Sequence, residues 1–154
     1  MDKTEPSSSA SKSAPGSGGL KLDFDTLAGM VRDSPFHHWL GVSLHKLEAH
    51  SVEITMPWRE EFVSDPEIRY THGGILAALI DLAADYAIAA RLGRGVPTID
   101  MRIDYHKAAM PGPLLARARV IKLGGTLATA EAHLYDENDV LIASGRGVYL
   151  TLSR

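Results

Sequence analysis

Residues 71 to 91, Thr-His-Gly-Gly-Ile-Leu-Ala-Ala-Leu-Ile-Asp-Leu-Ala-Ala-Asp-Tyr-Ala-Ile-Ala-Ala-Arg, hold the groups of this chain best suited to chemistry. The stretch reads as one long apolar helix with Asp81 about two turns inside it. A carboxylate there needs something specific to offset its desolvation. The entrance, His72-Gly73-Gly74, leaves helix-start amides open to an approaching group, and such amides favour negative charge. An anion-friendly helix start and an isolated carboxylate in one segment suggest a reaction site.

At about 100° per residue, Gly74, Ala77, Ala78, Asp81, Ala84, Asp85 and Ile88 fall on one stripe of this helix. Ile75, Leu76, Leu79, Ala83, Tyr86 and Ala90 fall opposite. The bulky stripe suits a sheet. The small-residue stripe leaves room for a ligand around Asp81. It suits close helix packing equally, with Asp81 making a structural hydrogen bond.

The elements around this segment are legible by periodicity. Leu22, Leu27, Met30 and Val31 predict a short amphipathic helix between Leu20 and Arg32, broken at Pro35, with a further turn from Phe36 to Leu40. Strand alternation follows Gly41, with Val52, Ile54 and Met56 on one face. Residues 58–70 are charged and carry Pro66, which predicts a long loop. After the apolar helix, Ile99, Met101, Ile103 and Tyr105 alternate with Asp100, Arg102, Asp104 and His106, as in a strand with one wet face. Two further strands, Leu114–Leu123 and Thr126–Tyr135, are joined by a hairpin signal at Gly124-Gly125. A last strand, Val140–Leu150, follows the turn at Asp136–Asp139. Short turns between late strands predict antiparallel pairing. The class is α+β, with one helix packed on a curved sheet.

At 154 residues and a formal charge of −3, the chain is sized for one domain and carries no broad basic character that would make nucleic acid its partner. Without cysteine there is no disulfide framework and no thiolate chemistry, which fits a cytoplasmic location. The apolar run from Gly73 to Ala90 contains two aspartates and is too short for a comfortable membrane span. Residues 1–19, rich in Ser, Gly, Pro and Ala, read as a disordered tail ahead of a domain over residues 20–154.

His72-Gly73-Gly74, six apolar residues and Asp81 resemble the hotdog-fold acyl-CoA thioesterases of the phenylacetate-degradation type. The resemblance continues through Pro97-Thr98-Ile99-Asp100-Met101-Arg102-Ile103-Asp104-Tyr105, Gly124-Gly125-Thr126-Leu127-Ala128 and Ala143-Ser144-Gly145-Arg146-Gly147. It implies a long central helix wrapped by a curved antiparallel sheet, assembled as a homodimer or homotetramer. It implies an acyl-CoA substrate and no metal or redox cofactor. By the same resemblance Asp81 activates water or attacks the thioester carbonyl, Gly73 supplies the amide that polarises the carbonyl oxygen, and Thr98 helps hold the water. His72, Gly74, Asp65 and Arg146 are then the candidates for binding substrate. Eight residues at 1.5 Å put Gly73 and Asp81 roughly 12 Å apart along one helix. A single protomer cannot easily bring both to one carbonyl, so the family's site is shared between subunits.

One position departs from the pattern. Related enzymes often carry Asn or Gln six residues before the histidine, and here that position is Pro66, flanked by Asp65 and Glu67. Either Asp65 takes over the task of orienting substrate or the task is absent. His37-His38 lacks a second ligand pair at zinc spacing. No serine sits in a nucleophile elbow, and no phosphate-cradling glycine loop is present. Coenzyme A phosphates would need bases such as Arg102, Lys107, Lys122 or Arg146. A non-catalytic acyl-CoA binding or sensing domain is the rival reading. It could dispense with Asp81.

Overall fold

The computed structural model describes residues 19–152. The tail expected over residues 1–19 lies, Gly19 apart, outside the described residues. Helix α1 (Phe24–Asp33) starts where Asp23 accepts the amide of Thr26 at 2.8 Å, and α2 (Pro35–Leu40) follows with proline at its first position. Strands β1 (Ser43–Leu47) and β2 (Ser51–Met56) lead through a short 3-10 turn (Glu60–Phe62) into α3 (Gly73–Leu92). Four strands complete the chain: β3 (Thr98–Tyr105), β4 (Leu114–Leu123), β5 (Leu127–Tyr135) and β6 (Leu141–Leu150).

All six strands form one antiparallel sheet in the order β1-β2-β4-β5-β6-β3, which leaves β1 and β3 as edges. This is the expected long helix held by a curved, open sheet. The helix seats closely because the sheet is floored with small side chains. Ala118, Ala132 and Gly145 stand side by side across β4, β5 and β6. A Cβ added at Gly145 would lie 2.7 Å from the Ile80 side chain and 2.9 Å from the Arg102 carbonyl, so only glycine fits. Gly93 ends α3 in the left-handed conformation (φ 84°), its amide returning to Ala89 O at 2.8 Å. No helix among the described residues is long and apolar enough to cross a membrane.

Three sequence expectations need correction. The division of α3 into a bulky and a small stripe holds only for its first half. From Leu82 to Arg91 every residue but Asp85 is buried. There α1 and α2 close over the helix, with Tyr86 bonded to Met30 O and its ring against His37.

The Gly124-Gly125 hairpin is displaced by one residue. Gly124 donates to Leu127 O at 3.0 Å, so the two-residue loop is Gly125-Thr126. Neither glycine has a positive φ. Gly124 is needed because a Cβ there would lie 2.6 Å from Leu127 O.

The strict alternation expected of β3 is broken. Thr98 pairs with Tyr149 and Asp100 with Val148, so Ile99 is an extra residue in a β-bulge. Ile99 is 56% exposed instead of sharing the apolar face with Met101 and Ile103.

Candidate active site

The bulge at Ile99 has a direct consequence for the site. Side chains alternate along a strand, so an unbroken β3 would put Thr98 on the wet face with Asp100, Arg102 and Asp104. The extra residue reverses the parity ahead of it and turns Thr98 toward α3. Its hydroxyl donates to Asp81 Oδ1 at 2.8 Å. Directly across the ladder, Tyr149 occupies the same face, and its hydroxyl donates to the same Oδ1 at 3.2 Å and lies 3.4 Å from Asp81 O. Asp81 itself is half-buried.

Tyr149 was not among the sequence candidates. It reads as a core aromatic in a closing apolar strand, and its ring is indeed fully buried. Burial, with the nearby charge of Asp81, pushes the phenol well above its ordinary range and keeps it a donor. The signal available in the sequence was that a buried tyrosine hydroxyl must find an acceptor.

Asp85, one turn beyond Asp81, accepts the amide of Val96 at 3.0 Å. It thereby anchors the turn that delivers Thr98. Burial raises its carboxyl to about 6, opposed by the Val96 bond and assisted by the charge of Asp81. His37, half-buried on α2, has its ring nitrogen Nδ1 3.2 Å from Tyr86 OH. Burial lowers its pKa, partly offset by a backbone bond to Val31 and by the charge of Asp81.

The N-terminus of α3 carries the second candidate group. His72 caps the helix: its Nδ1 accepts the Gly74 amide at 2.8 Å, and its carbonyl accepts Ile75 N at 2.9 Å and Leu76 N at 3.3 Å. Of the first four amides, Gly73 N–H alone has no acceptor among the described residues. This is the amide the sequence singled out, at the positive end of a 20-residue helix. Tyr105 packs against Gly73, and its hydroxyl donates to Gly73 O at 2.9 Å. A cavity of about 390 Å³ opens beside it, lined by Tyr70, Thr71, Leu76, Tyr105 and Ala109 among others.

The remaining candidates do not gather at Asp81. His72 and Gly74 satisfy one another. Asp65 Oδ1 accepts the amides of Glu67 and Ile68 at 2.9 and 2.8 Å, capping the turn at Pro66. Arg69, at φ 70°, closes that turn with two bonds to Glu60 at 2.8 and 2.6 Å. Arg146 lies on the outer face of β6, opposite Tyr149 in parity, and donates to Glu131 at 3.0 Å. It does not meet Asp81 within one protomer.

A carboxylate ordered by two hydroxyls can accept a proton from water or attack an acyl carbon. An open helix-start amide can stabilise the oxyanion that either path creates. Both occur here on one helix, the amide at its start and the carboxylate about two turns inside.

Comparisons with known proteins identify the family. The model of the thioesterase superfamily matches residues 69–143. A solved protein from that superfamily is 47% identical, with a TM-score of 0.81, covering 82% of this chain and 96% of that one. Zebra fish thioesterase superfamily member 2 is 31% identical with a TM-score of 0.74, over 84% of this chain and 99% of that one. The medium/long-chain acyl-CoA thioesterase YigI of Escherichia coli K12 is 25% identical over 136 residues, 78% of this chain and 87% of that protein.

Proposed function

The chain belongs to the thioesterase superfamily, and from that premise we propose that it hydrolyses acyl-CoA thioesters in a site shared between two copies of itself. Water adds to the thioester carbonyl as Asp81 takes its proton, or Asp81 attacks first and water then opens the anhydride. Gly73 N–H of the neighbouring protomer holds the oxyanion. The carbon–sulfur bond breaks, releasing a carboxylic acid and coenzyme A.

The observation that carries this reading is the pairing of an ordered carboxylate with an open amide on one rigid helix. The axial gap of roughly 12 Å between them suits two antiparallel copies that each lend one group. The edge strand β3 supports such a pairing, since its outer backbone groups are open and Ile99 and Tyr105 are 56% and 55% exposed. The apolar lining of the cavity beside Gly73 suits an acyl chain or ring. His72 caps α3 next to Thr71 and Gly73, which line this cavity, and Asp65 caps the turn that precedes Tyr70. A binding or sensing module would have no need for the ordered carboxylate, which favours the enzyme.

Release of free thiol from acetyl-, hexanoyl-, octanoyl-, palmitoyl-, benzoyl- and phenylacetyl-CoA tests the reading, with Asp81→Asn alongside. The expected result is turnover of at least one thioester by the native chain and a loss of 100-fold or more, roughly the scale of general base catalysis, in the variant. Full activity of Asp81→Asn would overturn the assignment. Tight acyl-CoA binding without turnover would favour the sensing module.

A further inference from the structure

Two hydroxyls converge on one oxygen of Asp81. Thr98 reaches Oδ1 at 2.8 Å and Tyr149 at 3.2 Å, while Oδ2 accepts no hydrogen bond among the described residues. The two donors come from adjacent strands, paired directly across the β3–β6 ladder, so their spacing is fixed by the sheet. The neighbourhood is built to admit the tyrosine. A Cβ added at Gly147 would lie 2.6 Å from both Cε2 and the hydroxyl oxygen of Tyr149. Gly147 does not have a positive φ, so its backbone conformation does not require glycine. The glycine makes room for the tyrosine ring.

We propose that Tyr149 is a positioning residue that, together with Thr98, locks Asp81 through Oδ1 and so presents Oδ2 as the single oxygen that meets water or the acyl carbon. This rests on the reading of Asp81 as base or nucleophile. A carboxylate held by one oxygen cannot rotate to exchange its two oxygens, and the unbonded one keeps its lone pairs for the reaction. The burial of Tyr149 keeps its hydroxyl protonated, so the lock holds across the working pH range.

Tyr149→Phe removes the hydroxyl and keeps the ring. Gly147→Ala keeps the hydroxyl and displaces the ring. Both are assayed on the acyl-CoA turned over fastest in the panel, from pH 5 to 9, beside Asp81→Asn. In Tyr149→Phe the expected kcat falls roughly 10- to 100-fold, the size of a hydrogen bond to a charged group, with KM within about twofold. The acidic limb of kcat/KM moves to higher pH, since a lost donor disfavours the ionised carboxylate. Gly147→Ala shifts both in the same direction and carries the test alone if Tyr149→Phe does not fold. Native kcat and an unmoved limb, with Asp81→Asn inactive, would sink the role of Tyr149 and leave that of Asp81 standing. A fall in thermal stability with no movement of the limb would likewise reduce Tyr149 to packing. An active Asp81→Asn would instead remove the premise.

Discussion

Replacing Asp85 by asparagine should make the protein more stable at neutral pH and leave it unchanged in acid. The carboxyl is raised from its ordinary 3.8 to about 6, first by burial and further by the charge of Asp81, against the opposing bond from Val96. The folded chain therefore binds this proton more tightly than the unfolded chain. The stability this adds is complete below pH 4 and disappears as pH climbs through 6. At about 1.4 kcal/mol per pKa unit, holding the ionised form at pH 7.5 costs on the order of 3 kcal/mol. Asparagine is neutral throughout and keeps an oxygen for Val96 N–H, though its new N–H groups need partners. A gain of about 1–3 kcal/mol at pH 7.5 remains, or several degrees in Tm for a domain of this size. Thermal melts of both proteins from pH 4 to 8 measure it. The curves should converge near pH 4 and separate above 6. An equal gap at both ends would refute the burial argument. Turnover should survive, because the turn that carries Thr98 stays anchored.

Two other substitutions probe the frame around the site. Gly145→Ala should cost about 1–3 kcal/mol, as overpacked cores do, because Ile80 and Arg102 O both crowd its Cβ; urea denaturation reads it, and an unchanged midpoint would show that α3 has slack. His72→Ala should cost about 1 kcal/mol through the lost cap on Gly74, and an undiminished midpoint would mean that the cap contributes nothing.

The site was only partly legible along the chain. The embedded Asp81, its glycine entrance and the helix length that separates them are local facts, carried by period and spacing. Thr98 entered through family resemblance alone, since strict alternation places it on the wrong face. Tyr149 was hidden because it lies 68 residues from Asp81 and looks like ordinary core. Arg146 belongs to the closing Ala143–Gly147 motif, and strand parity places it on the face of the sheet opposite Tyr149.

The set of elements and the chemistry on α3 are written locally in the chain. Hydrophobic period, helix caps and turn residues act within a few positions and need no partner to be read. The tertiary structure alone decided which groups meet Asp81. That decision depends on the bulge at Ile99, on the pairing of Thr98 with Tyr149, and on the clearance Gly147 leaves for a ring. Each is a register or packing relation between distant strands. One residue more or less in a strand exchanges its faces, and no local preference encodes that count.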